Sequence, residues 1–289
     1  MNELPEECIA KVMSYLGPQQ VCRLASVSRT FSSASQSDVL WESFLPFDYR
    51  SIISQSSDSS LLSTSASKQH LFRRLCQQPV LLDQGKKSWA VEAGRGKISM
   101  MVGARDLAIT WGDTPAYWRW ETDPDSRFAG GEVAALELVW WLEIRAKIQT
   151  RRLSPGTTYG AYLVFKLMGG HIGLAGQPVK VGVGFVGDEG SGKESVANLD
   201  PAAAGAGGRS RRNPPAGGGS RVLGMVLRWV ARPRVVQPRK RGDPWWEVKL
   251  GEFENGVAGG EEVEVSVKEV ESGQVKHGLV VHGIEFRPE

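Results

Sequence analysis

Histidines and cysteines are the residues of this chain whose side chains most often act as bases, nucleophiles or metal ligands. The four histidines are scattered: His70, His171, His277 and His282. The last two are five positions apart, an odd offset that places them on opposite faces of a regular strand. The cysteines are confined to the first quarter of the chain and form no CxxC spacing: Cys8, Cys22 and Cys76. No GxSxG motif is present, so the sequence nominates no nucleophile, no metal site and no cofactor, and predicts a protein that is not an enzyme.

Two glycine-rich stretches match nucleotide-binding patterns but fail a physical test. Gly182 to Gly187 matches GxGxxG, yet valines alternate with its glycines, which places the motif inside a strand rather than at the start of a helix. Gly187 to Lys193 matches GxxxxGK, but Glu194 occupies the position where a hydroxyl would bind Mg²⁺. The acidic Asp188 would also repel a phosphate. Nucleotide binding is therefore not predicted.

Composition narrows the class of protein. The net charge of the 289 residues is only +3, which does not favour general binding to polyanions such as nucleic acid. The acidic N-terminus lacks the apolar core of a signal peptide, and no run of 18 apolar residues predicts a membrane span. Three cysteines make a poor disulfide framework. We expect a reduced, intracellular, soluble protein.

The hydrophobic period changes along the chain. Residues 1–47 have the 3.6-residue spacing of short amphipathic helices, as in Ile9, Val12 and Leu16. Residues 48–85 contain a serine-rich stretch, 51–67, which favours a flexible linker, followed by a short helix. From 86 to 289 about ten segments alternate with period two, which predicts an antiparallel β-sandwich and an α+β chain overall. A Gly/Ala/Pro-rich tract at 188–220 predicts a disordered insertion.

The first 47 residues carry a set of apolar and turn residues that resembles the F-box pattern. The set comprises Leu4, Pro5, Ile9, Val12, Leu16, Pro18, Val21 and Leu24, with Phe31 and Trp41 further along. The resemblance implies docking onto the Skp-type adaptor of a cullin–RING ubiquitin ligase, with those first eight residues in the helix-in-groove contact. A small helical cap that folds onto the β part is the alternative reading.

The β part resembles the plant phloem protein 2 family, whose best-known relative is the tobacco Nictaba-type lectin. The resemblance rests on Ala104–Trp120 (ARDLAITWGDTPAYWRW) and Val139–Ile144 (VWWLEI), with further matches at Tyr159–Leu167, Trp246–Phe253 and Gly283–Pro288. It implies a jelly-roll-like sandwich. The tract at 188–220 is an addition to the family pattern.

In that lectin group two Trp and two Glu bind oligosaccharides that contain N-acetylglucosamine. By motif these roles fall on Trp111, Trp118, Glu262 and Glu269. Because Glu262 and Glu269 are seven apart, a regular strand would aim them oppositely. The apolar phase slips by one residue after Val267, which predicts a bulge that would return both carboxylates to one face. A structural role for the four stays open, and we expect the other tryptophans of the motifs to be core: Trp120, Trp140, Trp141 and Trp246.

These expectations combine into an adaptor that holds a ubiquitin ligase at one end and a glycosylated target protein at the other, in the nucleus and cytoplasm. The basic run Arg239–Arg241 is either an import signal or a solvated loop. Two alternatives remain: a lectin that acts without the ligase, and an F-box adaptor whose β part binds protein surfaces with no sugar affinity. No nucleic acid or membrane partner is expected.

Overall fold

The computed structural model describes residues 4–188, 192–202, 235–257 and 259–289. The N-terminal part is a set of short helices. Two of them begin at serines, Ser28 and Ser67, whose hydroxyls accept hydrogen bonds from the first-turn N–H groups, and a third begins at Gly17-Pro18. The described helices are α1 (Glu6–Met13), α2 (Pro18–Leu24), α3 (Arg29–Ala34), α4 (Asp38–Glu42), α5 (Tyr49–Ser54), α6 (Leu61–Thr64) and α7 (Lys68–Gln77). No helix in the described ranges is both long and apolar enough to cross a membrane.

Two antiparallel sheets follow, as the period-two pattern predicts. In the described ranges the strands are β1 (Val80–Leu82), β2 (Lys87–Val91), β3 (Ile98–Gly103), β4 (Ala108–Ile109), β5 (Trp118–Thr122), β6 (Glu132–Leu136), β7 (Leu142–Gln149), β8 (Thr157–Ile172), β9 (Val179–Phe185), β10 (Lys193–Ala197), β11 (Arg239–Lys240), β12 (Trp246–Asn255), β13 (Glu262–Glu269) and β14 (His277–Pro288). One sheet has the order β1-β2-β3-β14-β8-β12-β11. In the same sheet β6 also pairs with β14, and β5 pairs with β6. The other has the order β10-β9-β13-β7-β4. The α+β class is confirmed.

The sheets pack closely where β12 crosses β9. A bulge in β12 falls at Gly251, and a Cβ atom there would lie 2.8 Å from Val183 Cγ2. Only glycine therefore fits at this contact. The inner residues of both sheets, among them Leu163 of β8 and Val265 of β13, lie in one continuous core.

The helical part shares that core instead of standing apart. The Trp41 ring packs on Phe44 and Phe72 at centroid distances of 5.6 and 5.3 Å, and these residues are continuous with the sandwich interior. Backbone contacts reinforce the junction, since a Cβ on Gly96 would lie 2.9 Å from the Phe44 carbonyl oxygen. The helices and the sandwich are thus packed against each other, not joined by a tether.

Two predictions of local structure are wrong in the described residues. The serine-rich stretch is not a flexible linker, because α5 and α6 lie in and beside it and Ile53 is completely buried. Its serines are compatible with helix because hydroxyls such as that of Ser56 bond back to backbone carbonyls. The predicted disordered insertion likewise includes β10, with Ala197 and Leu199 buried. Residues 203–220 of that insertion lie outside the described residues.

Candidate functional site

The most unusual local structure surrounds Trp111, in the turn between β4 and β5. Trp111 has φ +58°, the left-handed region that non-glycine residues rarely adopt, and its side chain is 46% exposed. Its ring lies against Tyr117 with a centroid distance of 5.2 Å. Backbone strain of this kind costs roughly 1–3 kcal/mol and tends to persist where a site requires it. Trp111 therefore remains a candidate ligand platform.

Trp118 does not share that exposure. It is 2% exposed, and its indole N–H donates to the Thr110 carbonyl at 3.2 Å, one residue before Trp111. Trp120 donates in the same way to the Gly112 carbonyl at 2.9 Å. The structure buries Trp118, which with Trp120 holds the turn that presents Trp111, and a sugar-binding role for Trp118 stays a prediction.

The predicted bulge in β13 is absent. The strand pairs with β7 without a register shift, from Glu262 opposite Gln149 to Glu269 opposite Leu142. The two carboxylates therefore point to opposite faces of the sheet. Glu262 faces outward, whereas Glu269 occupies the phase of the buried Val263, Val265 and Val267. The slip in the apolar pattern reflects a charged residue on the inner face, not an extra residue in the strand.

Glu269 has a structural partner that explains its burial. Its carboxylate pairs with the ammonium group of Lys276, which is 1% exposed, and accepts hydrogen bonds from the backbone and hydroxyl of Ser272. Burial by itself would raise the pKa of Glu269, but these hydrogen bonds hold that pKa below its ordinary value. Lys276 Nζ also donates to the Trp140 carbonyl at 2.8 Å. In this structure Glu269 anchors the segment that carries Trp140, and its assignment to sugar binding stays a prediction.

Trp140 and Trp141 are exposed, contrary to the prediction that they are core. Their exposed fractions are 51% and 45%. They follow Val139, which is buried and forms a bridge with Lys276, so the segment is held by its backbone while both indoles face outward. The sequence carried a signal for this, because adjacent residues of an extended segment face opposite sides, and two successive Trp cannot both enter one core.

A network of charged groups on the outer face of β7 and β13 adjoins Trp141. The Glu143 carboxylate accepts hydrogen bonds from the Trp141 indole N–H at 3.1 Å, from the Thr110 hydroxyl at 3.4 Å and from Arg145 Nε at 2.9 Å. The hydrogen bond from Arg145 is the main reason that the pKa of Glu143 lies below its ordinary value. Arg145 Nη1 also donates a hydrogen bond to Glu264 Oε1 at 3.1 Å. Sequence reasoning missed Glu143 and Arg145.

Glu262 lies at the other end of this network. It accepts a hydrogen bond from Gln149 at 3.1 Å and lies 3.7 Å from Lys147 Nζ. Thr110, beside Trp111, bonds to Glu143. Glu262 pairs with Gln149, which lies six positions after Glu143 on β7. Glu262 is therefore roughly 20 Å along the strand from Glu143. The structure therefore does not bring the four predicted sugar-binding residues together.

The predicted adaptor-binding residues divide into exposed and buried groups. Leu4, Pro5 and Val12 are exposed, while Ile9, Leu16 and Leu24 are half-buried against the core. Pro18 and Val21 are buried, and Val21 has no exposed surface. Helix period alone does not tell which apolar face another helix covers, and a partner contact for these last two stays a prediction. Four exposed apolar residues of this segment are absent from the predicted set: Tyr15, Val27, Val39 and Phe47.

The basic run at Arg239–Arg241 is largely engaged within the fold. Arg241 donates to Glu247 at 2.9 Å and to Glu285 at 2.6 Å, and Arg239 also pairs with Glu247. Burial alone would raise the pKa of Glu247, but the hydrogen bonds from Arg287 and Arg239 lower it to about 2. The reading of this run as a solvated loop is wrong for Arg241, and an import role stays a prediction.

Comparisons with known proteins agree with both halves of the fold. A sequence model of the phloem protein 2 family matches residues 97–288, and an F-box-like model matches residues 1–46. The chain is 42% identical to the F-box protein At2g02240 of Arabidopsis thaliana, over 99% of this chain and 79% of that one. It is 40% identical to F-box protein PP2-B1, over 100% and 90%, and 39% identical to F-box protein PP2-B10, over 99% and 93%, both of the same plant.

Proposed function

This chain belongs to the F-box-containing branch of the phloem protein 2 family, and we propose that it recruits glycosylated proteins to a cullin–RING ubiquitin ligase. The observation that carries the proposal is the shared core of the N-terminal helices and the sandwich. Ubiquitin transfer would be performed by other subunits. The proposed role of this chain is to bind the ligase through its helices and the target through its sheets.

The exposed apolar residues of the N-terminal segment support docking onto a Skp-type adaptor. Leu4 and Val12 are each about two-thirds exposed and Tyr15 is 81% exposed, around the amphipathic helix α1. Apolar side chains presented this way on a helix are suited to a groove in a partner. Truncation of central anchors in such interfaces typically costs about 2 kcal/mol each, or a factor of about 30 in affinity.

The adaptor contact is tested by co-precipitation with the full chain. The double variant Leu4→Ala/Pro5→Ala should lose adaptor capture, while Val186→Ala, which truncates an exposed apolar residue of the sandwich, should retain it. Failure of the parent chain to capture any Skp-type adaptor would refute the ligase role. A lectin that acts without the ligase would then be the remaining function.

The glycan part of the proposal is supported by Trp111. A flat, half-exposed indole held in a strained turn suits the apolar face of a pyranose ring, and polar side chains stand nearby to bind hydroxyl groups. A glycan array with chitin-like and N-glycan probes tests this on the full chain, with Trp111→Ala as the comparison. Silence across all probes with adaptor capture retained would favour an F-box adaptor that binds protein surfaces.

We place the protein in the nucleus and cytoplasm. Cys8, Cys22 and Cys76 are all free thiols, which suits a reducing compartment. Imaging of a fluorescent fusion, with Arg239→Ala/Lys240→Ala as the variant, tests both the location and the role of the basic run. Confinement of the parent fusion to the secretory pathway would refute this assignment.

A further inference from the structure

Two half-exposed tryptophans, Trp111 and Trp141, lie at the end of the five-stranded sheet where β4 pairs with β7. Hydrogen bonds connect the segments that carry them. The Thr110 hydroxyl, next to Trp111, and the Trp141 indole N–H both donate to the same oxygen of Glu143. Folded proteins rarely leave this much aromatic surface together in water without a use.

The fold holds these side chains in place before any ligand arrives. Glu143 holds the Trp141 ring by accepting a hydrogen bond from its indole N–H. Trp118 and Trp120 fix the turn that presents Trp111. A surface ordered in this way loses little conformational entropy when it binds, which is typical of a binding site rather than of an incidental patch.

Arg145 adds hydrogen-bond donors beside the indoles. Within the described part of the chain it donates two hydrogen bonds to Glu143 and one to Glu264, which use three of its five N–H groups. One N–H remains on each terminal nitrogen. Its side chain is 41% exposed, so the guanidinium is accessible to a ligand beside the indoles.

The charges of this face indicate the kind of ligand. The outward side chains of β7 and β13 contribute three acidic and three basic groups: Glu143, Glu262 and Glu264, with Arg145, Lys147 and Lys268. Because these charges balance, the face has no net attraction for an anionic or a cationic partner. Flat indoles beside closely spaced donors and acceptors suit an uncharged molecule that has apolar C–H faces and many hydroxyl groups.

We propose that Trp141, with Trp111, forms the platform for a neutral oligosaccharide, and that Arg145 donates hydrogen bonds to its hydroxyl or N-acetyl oxygens. This inference rests on the proposed glycan recognition and assigns it to residues other than Trp118 and Glu269. Glu143 is a positioning residue, since the hydrogen bonds that it accepts orient both Trp141 and Arg145.

The test is isothermal titration calorimetry of the full chain with chitotriose, which measures the dissociation constant. Trp141→Ala should weaken binding about 30-fold, the effect of removing an aromatic anchor that contributes about 2 kcal/mol. Arg145→Lys keeps the charge but not the planar arrangement of donors, and it should weaken binding about tenfold. Phe47→Ala removes an aromatic ring that is even more exposed, from the helical part, and should leave binding unchanged.

The outcomes separate this inference from the proposed function. If the parent binds chitotriose and Trp141→Ala binds equally well, the platform is wrong while glycan recognition stands. If the parent binds only sulfated or sialylated probes, the argument from balanced charge is wrong. If the parent captures the adaptor but binds no glycan at all, both the platform and the glycan part of the proposed function are refuted.

Discussion

Acidification should destabilise the fold through one buried imidazole, that of His282 on β14. The ring is 1% exposed and lies stacked on Trp245 at a centroid distance of 4.3 Å, with Phe128 at its edge. Its Nε2 accepts the Arg127 backbone N–H at 3.3 Å, so the neutral form carries its proton on Nδ1. Among the described residues that nitrogen has no hydrogen-bond partner. A second proton would bring an unsolvated charge into this apolar cluster.

The magnitude follows from the two pKa values. Burial, and then the positive charges of Arg127 and Arg241, lower the pKa of His282 from 6.5 to about 3, with Asp123 opposing. Between pH 6.5 and pH 3, His282 is therefore protonated in the unfolded chain but stays neutral in the folded chain. The contribution of His282 to stability is fully present above pH 6.5 and is lost as the pH falls toward 3. Between pH 7 and pH 5 that loss is about 2 kcal/mol.

The assay is urea unfolding of the full chain at pH 7 and pH 5. The free energy of unfolding of the parent should fall by about 2 kcal/mol more than that of His282→Gln, whose amide cannot titrate. His70→Gln removes an exposed imidazole from α7 and should leave that difference in place. An equal loss in the parent and in His282→Gln would refute the reasoning, because the acid sensitivity would then come from other groups.

Three further predictions concern stability. Trp111→Gly should be more stable than Trp111→Ala by about 1 kcal/mol in the free energy of unfolding, and should unfold at a higher temperature, since only glycine is unstrained at φ +58°. A calorimetric unfolding temperature that is higher for the alanine variant would contradict this. Glu269→Ala should cost about 3–5 kcal/mol in chemical denaturation, because it leaves the buried Lys276 charge unpaired, and Glu269→Leu/Lys276→Met should recover most of the loss. Ile53→Ala should cost about 2–5 kcal/mol, whereas a flexible serine-rich linker would tolerate it without loss.

Several features of the fold were predictable because they depend on local pattern. The change from a 3.6-residue to a two-residue period gave the helical and β parts, and Gly17-Pro18 marked the start of a helix. The alternation of valines correctly placed Gly182 and Gly184 inside β9 and so excluded a phosphate-binding turn. Each of these inferences uses only residues that are neighbours in the chain.

The candidate site was less predictable because its residues come together from distant segments. Trp111 lies about thirty residues from Trp141 in sequence, and their connection through Glu143 requires the pairing of β4 with β7. From the sequence, the charged side chain of Glu269 is expected on the outer, polar face of its strand. Its inward position depends on Lys276, which a separate segment supplies.

The sequence by itself determined that a helical part precedes a β part, the family to which the chain belongs, and which residue types are available for a ligand. The tertiary structure decided which of those residues face solvent. Trp118 and Trp141 are the same side chain in similar motifs, yet one is buried under a turn and the other is half-exposed. The physical reason is that strand periodicity separates two faces without saying which of them another sheet or loop will cover.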